Sequence, residues 1–218
     1  MGYFITFEGV EGSGKSTQIK LLSEQLTARG LRTVLTREPG GCPIADKIRA
    51  ILLDAENSAL SPLSELMLYA AARAQHVTEV IVPALDCGSI VLCDRFCDAT
   101  VAYQSFGRGI DRTIIDNLNL IACQGVAPDL TLLFDCDPKV GLDRARRRIE
   151  ATTGPREERF ELEALAFHQR VRDGYRRLAA DQPDRFLIID GAESIENIFN
   201  VIATQVIARI PEELRAVR

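Results

Sequence analysis

A short apolar run near the N-terminus is followed at once by a glycine-rich loop. Residues 3–7 have the composition of a β-strand, and the next stretch fits the pattern G-x-x-x-x-G-K-[ST] with the sequence Gly9-Val10-Glu11-Gly12-Ser13-Gly14-Lys15-Ser16-Thr17. Its glycines keep side chains off the inner wall of the loop, so that successive backbone amides can surround phosphate oxygens. A helix that starts at Ser16 would direct its free amide hydrogens at the same anion. This unit therefore predicts an α/β fold that binds a nucleoside triphosphate.

The last residues of the loop have individual predicted roles. Lys15 is expected to reach the β- and γ-phosphates, and the Ser16 hydroxyl is expected to coordinate Mg²⁺. The alternative interpretation is a glycine-rich turn that binds nothing. The strand before the loop and the amphipathic helix after it argue against that alternative. We therefore expect all of residues 9–17 to contact the triphosphate.

The overall composition limits the choice of partners. The 218 residues suit one domain, and 46% apolar with 26% charged residues is an ordinary globular balance. The formal net charge of −5 argues against nucleic acid, because a surface that follows phosphates needs an excess of Lys and Arg. There is no apolar run of membrane length and no basic leader. We therefore expect a cytoplasmic protein that does not contact a membrane.

Strand and helix patterns alternate along the chain. Strands are predicted at residues 3–7, 32–36, 90–94, 130–135 and 186–190, and several of them are continuous apolar runs, as in parallel strands that are covered on both faces. Helical patterns occupy residues 16–29, 44–53, 62–86, 111–124, 138–150, 161–181 and 194–209, with a break or kink expected at Pro83. This alternation predicts a three-layer α/β fold with right-handed crossovers, in a single domain of residues 1–218.

One segment differs from this pattern in its charge. Residues 144–159 contain six arginines and three glutamates around a Thr-Thr-Gly-Pro centre, in a chain that is acidic overall. Such a run is usually a solvated helix end followed by a surface loop. In a protein with a phosphate-binding loop, however, an arginine-rich flap can close on the triphosphate. We therefore predict a mobile lid at about residues 144–160.

Three further clusters indicate a phosphate-bearing acceptor. Strand 90–94 ends in Asp94-Arg95-Phe96, where the carboxylate could help to hold Mg²⁺ and the guanidinium could clamp an anionic oxygen pair. Arg37 follows strand 32–36 and is expected at the same edge of the sheet. Tyr69 and Arg73 are four residues apart on one helical face, and such a pair can stack on a base and hydrogen-bond its edge.

The chain resembles the bacterial thymidylate kinases over nearly its whole length. The stretches that carry the resemblance are residues 7–15, 36–41, 69–75, 94–104, 107–111, 128–132 and 140–144. The resemblance implies a P-loop nucleoside-monophosphate-kinase fold with a five-stranded parallel sheet flanked by helices. It also implies Mg²⁺-ATP as the phosphoryl donor, thymidylate (dTMP) as the acceptor and a homodimer.

The resemblance also assigns residues to the base and the sugar of dTMP. Tyr69 would stack on thymine, and Arg73 would hydrogen-bond its exocyclic oxygen. Thr100 or Gln104 would meet the N3 edge of the base. Tyr103 would lie under the C2′ position and exclude a ribose.

Further assignments concern the phosphates and the sugar hydroxyl. Arg37 and Arg95 would hold the acceptor phosphate, and Glu11 would lie near the 3′-hydroxyl. Arg144 and the loop after Asp190, with Ala192, would border the adenine of ATP. Ser16 and Asp94 would be the residues at the metal.

Catalysis is expected to depend on cations. Lys15 and Arg95 are candidates, and the lid should supply another arginine because Gly12 leaves the phosphate loop without one. The leading lid candidates are Arg148, Arg156 and Arg159. Two rival interpretations remain at this point: a kinase for another nucleoside monophosphate or a deoxynucleoside, and a GTPase. The absence of an Asn-Lys-x-Asp sequence argues against the GTPase.

Overall fold

Parallel strands form one sheet in the described part of the chain, residues 2–150 and 159–215 of a computed structural model. The sheet has the order β2-β3-β1-β4-β5, and its strands are β1 Tyr3–Glu8, β2 Thr33–Arg37, β3 Ile90–Asp94, β4 Leu130–Asp135 and β5 Phe186–Asp190. The central strand β1 is buried along its whole length, whereas the edge strands are partly exposed. The predicted fold class and all the predicted strands are confirmed.

The register of the sheet brings the carboxyl ends of its strands to one edge. Asp94 at the end of β3 pairs with Phe7 of β1 on one side and with Arg37 of β2 on the other. Because the strands are parallel, the loops that follow them leave the sheet on the same side. The phosphate loop, Arg37 and Asp94 therefore start from neighbouring points.

Helices cover both faces of the sheet. They are α1 Lys15–Ala28, α2 Pro43–Leu53, α3 Pro62–His76, α4 Val82–Asp86, α5 Cys97–Thr100, α6 Arg112–Cys123, α7 Pro138–Glu150, α8 Leu165–Asp181, α9 Ile195–Arg209 and α10 Glu212–Arg215. On one face, Leu22 of α1 and Ile202 of α9 pack with Phe7 in a fully buried cluster. On the other face, Val171 and other buried side chains of α8 pack against β4. No helix in residues 2–150 and 159–215 is both long and apolar enough to span a membrane.

Two wider, π-helical turns interrupt the helical segments. The first, Val77–Ile81, joins α3 to α4 and confirms the break expected near Pro83. Proline has no amide hydrogen to give to the carbonyl of Glu79, so the regular hydrogen bonding of α3 is interrupted before it, and Pro83 lies in the first turn of α4. The second, Val101–Gly107, continues from α5 and has no counterpart in the sequence-based prediction. Of the predicted lid, α7 covers residues 144–150, while residues 151–158 lie outside the described part of the chain.

The phosphate loop packs directly on the backbone of α7. A Cβ added to Gly12 would lie 2.0 Å from the Gly141 carbonyl oxygen, and one added to Gly141 would lie 2.3 Å from that of Glu11. Gly12 also has a φ of 64°, which disfavours other residues. The close contact at Gly141 therefore fixes the position of the phosphate loop against α7, and no side chain fits at Gly12 or Gly141.

This contact leads to a stability prediction for Gly141→Ala. In an open helix the change would stabilise the protein by up to about 1 kcal/mol through helix propensity. Here we expect it to lower the free energy of unfolding by about 1–3 kcal/mol, because the backbone must move. The measurement is urea unfolding, with exposed Asp143→Ala on the same helix as control. A Gly141→Ala protein that is more stable than the unmodified protein would contradict the tight contact.

Candidate active site

A cavity of about 840 Å³ opens at the carboxyl edge of the sheet. Its walls come from the phosphate loop, the ends of β2 and β3, helices α3 and α7, the Val101–Gly107 turn and the loop after β5. It is lined by these predicted site residues: Glu11, Gly12, Ser13, Gly14, Lys15, Ser16, Thr17, Arg37, Tyr69, Arg73, Asp94, Arg95, Thr100, Tyr103, Gln104, Arg144 and Arg148. The residues assigned to donor and acceptor therefore share one space.

The phosphate loop has the backbone that an anion cradle needs. Gly9, Gly12 and Gly14 all have positive φ, and α1 starts at Lys15 directly after them. The ammonium of Lys15 donates hydrogen bonds to the carbonyl oxygens of Gly9, at 3.0 Å, and Val10, at 2.9 Å. Burial, assisted by the charge of Arg95, lowers the pKa of Lys15 to about 8. An anion in the cradle would favour the charged form of this lysine.

Ser16 and Asp94 lie together at the mouth of the loop. The Ser16 hydroxyl donates a hydrogen bond of 3.2 Å to the Asp94 carboxylate. Mg²⁺ in phosphoryl-transfer sites is held by one or two protein oxygens together with phosphates and water. A hydroxyl and a carboxylate at this distance suit that ion, and the described residues contain no cluster of three or more His, Cys, Asp or Glu that could form a protein-only metal site.

Arg95 is fixed by contacts on three sides. Its guanidinium donates to Glu11 Oε1 at 3.0 Å and to the Tyr175 hydroxyl at 3.2 Å, and it lies 4.8 Å from the centre of the Tyr103 ring. The backbone of Arg95 has a φ of 71°, in the left-handed region, and its amide donates to the Phe7 carbonyl. The strained backbone of Arg95 thus lies at the edge of the sheet, and its side chain runs along the cavity wall.

Glu11 is the carboxylate that connects these groups. It accepts hydrogen bonds from Arg95 and from the Tyr103 hydroxyl on the same oxygen. Burial would raise the pKa of Glu11, but His168, Arg95 and Tyr103 outweigh it and lower the pKa to about 2. Glu11 is therefore ionised at any physiological pH.

The far end of the cavity is formed by a buried arginine. Only 1% of the Arg73 surface is exposed, and its guanidinium donates to Glu38, Asn119, Thr100 and the Phe96 carbonyl. These contacts fix the plane of the guanidinium at the cavity wall. A planar donor group in a fixed position can recognise a carbonyl oxygen of a ligand.

Comparison with known proteins places the chain in a family. A family model described as Thymidylate kinase matches residues 7–202. The chain belongs to the thymidylate kinase family. It is 65% identical over 207 residues to a thymidylate kinase of Pelobacter propionicus, with 95% of this chain and 94% of that protein covered. It is 58% identical over 212 residues to one of Geotalea uraniireducens, with 97% of this chain and 100% of that protein covered.

A solved structure agrees with this assignment. The crystal structure of thymidylate kinase from Ehrlichia chaffeensis superposes with a TM-score of 0.74 at 36% identity, and covers 95% of this chain and 97% of that one. The predicted membership of the thymidylate kinase family is confirmed, and with it the prediction of a kinase that acts on dTMP.

Some predicted residues of this thymidylate kinase family member are not on the cavity wall. Gly9 and Val10 face Lys15 through their carbonyl groups. Ala192 is exposed between Gly191 and Glu193, which do line the cavity. Arg144 donates a hydrogen bond to the Gly191 carbonyl and so joins α7 to this loop. Arg156 lies outside the described residues.

Arg159 differs most from its predicted position. Its guanidinium donates to Glu65 at 2.7 Å and to the Leu52 carbonyl, and only 8% of its surface is exposed. Glu65 is buried as well and also accepts from Arg108. A buried carboxylate needs paired cations, and that need holds Arg159 away from the cavity. The expectation of a lid arginine directed at the phosphates is thus not met by Arg159 in this conformation.

Three residues of the site carried no usable signal in the sequence. Glu8 is fully buried at the end of β1 and accepts hydrogen bonds from the Phe96 amide and from Tyr175. Burial and the charge of Asp98 raise the pKa of Glu8 to about 8. Tyr175 and His168 come from α8, far along the chain, and contact Arg95 and Glu11. Glu8 stands out as an acidic residue at the end of an apolar run, but nothing near it in the sequence indicates its partners Phe96 and Tyr175.

The position of Arg159 leads to a prediction about stability. Arg159→Ala leaves buried Glu65 with Arg108 and Gln104 as its remaining partners, so we expect the free energy of unfolding to fall by about 1–3 kcal/mol. Urea unfolding measures this, and exposed Arg147→Ala serves as the matched control, with an expected change within about 0.5 kcal/mol. Equal stability of the two variants would show that the Glu65 contact does not hold in solution.

Proposed function

We propose that this chain transfers the γ-phosphoryl group of Mg²⁺-ATP to the 5′-phosphate of dTMP, which gives dTDP and ADP. The observation that carries the proposal is a cavity that the phosphate loop, Arg95 and the residues of α3 line together. A phosphate oxygen of the acceptor would attack the γ-phosphorus, and the bond to the β–γ bridging oxygen would break. That acceptor oxygen is already anionic, so no general base is required. Alignment and charge neutralisation remain for the protein to supply.

The donor would occupy the side of the cavity formed by the phosphate loop. Backbone amides of residues 12–17 and the ammonium of Lys15 would hold the phosphates. We propose that Mg²⁺ binds at Ser16 and Asp94, where it would neutralise charge on the β- and γ-phosphates. Arg144 and the loop around Ala192 would border the adenine, in keeping with the hydrogen bond between Arg144 and Gly191.

The acceptor would occupy the side towards α3. Arg95 and Arg37 would hold the phosphate of the acceptor, and Glu11 would accept a hydrogen bond from its 3′-hydroxyl. Tyr103 would close the space at C2′, since its ring is held by the hydrogen bond to Glu11.

The thymine pocket would lie beyond the sugar. Tyr69 would stack on the base, and Arg73, with Thr100 or Gln104, would meet its polar edge. Gln104 is held by its hydrogen bond to Glu65 at 2.9 Å, so its amide has a fixed direction. The pocket would therefore combine one aromatic face with the oriented donor group of Arg73 and the oriented amide of Gln104, whose oxygen can accept from N3–H.

We further propose a homodimer formed through α2, α3 and α6, which pack side by side. Large apolar side chains are exposed on all three helices, with Leu120 of α6 at 73%. Exposed apolar side chains on adjoining helices are typical of a protein interface, and a second copy of the chain is the occupant that we propose. Sedimentation equilibrium that shows only monomer at micromolar concentration would contradict the proposed dimer.

A cytoplasmic location of the protein stays a prediction.

The function is tested by ADP release across a panel of nucleoside monophosphates. We expect dTMP to react fastest and dUMP to be accepted less well, since one methyl group in an apolar pocket contributes only about 1–3 kcal/mol. Removal of Mg²⁺ with EDTA should abolish turnover, and excess Mg²⁺ should restore it. Faster phosphorylation of dCMP, UMP or dGMP than of dTMP would refute the assignment.

Arg148 is the lid arginine that we propose for catalysis, because it lines the cavity whereas Arg159 does not. Arg148→Ala should lower kcat by about 10³-fold, as for other arginines that contact a transferring phosphoryl group. The KM for dTMP should change little. Steady-state kinetics measure both, with Arg147→Ala as the control. Near-normal kcat in an Arg148→Ala/Arg156→Ala double variant would exclude both of these residues as the catalytic arginine.

A further inference from the structure

His168 is a buried side chain that no step of the proposed reaction uses. It lies on α8, and none of its surface is exposed. Its Nε2 is 3.0 Å from the carbonyl oxygen of Phe160, and its Nδ1 is 3.1 Å from Oε2 of Glu11. The ring therefore stands between two parts of the cavity wall, because both Phe160 and Glu11 line the cavity.

The two atoms that face each other are otherwise unpaired. Glu11 Oε1 accepts from Arg95 and Tyr103, but Oε2 and His168 Nδ1 are both buried, and neither has a hydrogen-bond partner among the described residues. The two atoms are 3.1 Å apart, which is an ion-pair distance. A carboxylate oxygen left alone in a buried place is costly. Nδ1 of this ring, 3.1 Å away, is a polar atom that can satisfy Oε2.

The partners of the His168 ring indicate which of its nitrogens carry hydrogen. A backbone carbonyl only accepts hydrogen bonds, so Nε2 must carry hydrogen. Glu11 pairs with the guanidinium of Arg95 as a carboxylate, so it also only accepts. Favourable contacts on both sides therefore require hydrogen on both ring nitrogens, since a lone pair on Nδ1 would face a carboxylate.

We propose that His168 is a positioning residue for the phosphoryl transfer, which holds Glu11 at Arg95 and Tyr103 through Nδ1 and holds the chain at Phe160 through Nε2. This rests on the proposed function of the same cavity. Phe160 lies on the acceptor side of the cavity, because the centre of its ring is 5.5 Å from that of the Tyr103 ring and 6.4 Å from that of the Tyr69 ring. The His168 ring therefore connects Glu11 of the phosphate loop to Phe160, so that it would position both segments at the cavity.

Two conservative variants separate the two contacts. The amide nitrogen of His168→Asn can reach the place of Nδ1 and keep the contact with Glu11, but not that with Phe160. The amide nitrogen of His168→Gln can reach the place of Nε2 and keep the contact with Phe160, but not that with Glu11. Leu178→Val, in the buried face of the same helix, is the control for a loss of stability without either contact.

Steady-state kinetics with dTMP give the first test. Loss of one hydrogen bond to a charged group corresponds to roughly a tenfold effect. We expect His168→Gln to raise the KM for dTMP by about tenfold with kcat within about twofold, because Glu11 is then free to leave Arg95. We expect His168→Asn to leave that KM near normal and to lower kcat by about tenfold, because the Phe160 side of the cavity is loosened. Equal changes in both variants, matching those of Leu178→Val, would reduce His168 to a structural residue and overturn the proposal.

Nitrogen-15 NMR of the histidine rings gives a second test that does not depend on activity. The chain has only two histidines, so the His168 signals can be assigned by their loss in His168→Asn. We expect hydrogen on Nδ1, the ring nitrogen that faces the Glu11 carboxylate. A non-protonated Nδ1 would overturn the proposal, even if the unmodified protein phosphorylates dTMP. Failure of the dTMP assay with hydrogen present on Nδ1 would instead refute the proposed function and leave the Glu11 contact intact.

Discussion

The contact between Glu11 and Arg95 links the parts of the candidate site. It joins the phosphate loop to the end of β3, and the hydroxyl of Tyr103 brings the Val101–Gly107 turn to the same carboxylate oxygen. A carboxylate next to a triphosphate would repel it if it were unpaired. Here Arg95 offsets that charge and is itself held still. The cation is thus oriented before any ligand arrives, which reduces the reorganisation needed during a reaction.

The same principle recurs in the layer behind the cavity. Buried carboxylates each fix one or more arginines: Glu11 fixes Arg95, Glu38 fixes Arg73, and Glu65 fixes Arg108 and Arg159. Buried ion pairs are weak contributors to stability, because both charges lose their hydration. Their value lies in geometry, since a guanidinium bonded on several sides keeps one plane and one direction. The buried glutamates therefore set the directions of the arginines in and behind the cavity wall.

The sequence predicts local features of this molecule well and distant pairings poorly. The phosphate loop, the strands and the break near Pro83 follow from residues that are neighbours in the chain. Arg159 was expected at the phosphates because nothing near it in sequence shows that its partner is Glu65, 94 residues away. His168 and Tyr175 gave no signal for the same reason: a buried aromatic ring on a helix resembles ordinary core until the opposite wall is known. Only the fold brings these groups to Glu11 and Glu8.

The π-helical turn at Val101–Gly107 makes the chain length of this segment as important as its composition. Tyr103 and Gln104 are adjacent in sequence, yet both line the cavity. Deletion of one residue that returned the turn to a regular helix would rotate everything after it by about 100° relative to what precedes it. Gly107, where a Cβ would lie 2.6 Å from the Phe167 ring, would then leave its place against α8. A substitution in this turn changes one side chain, whereas a change of length moves every later residue at once.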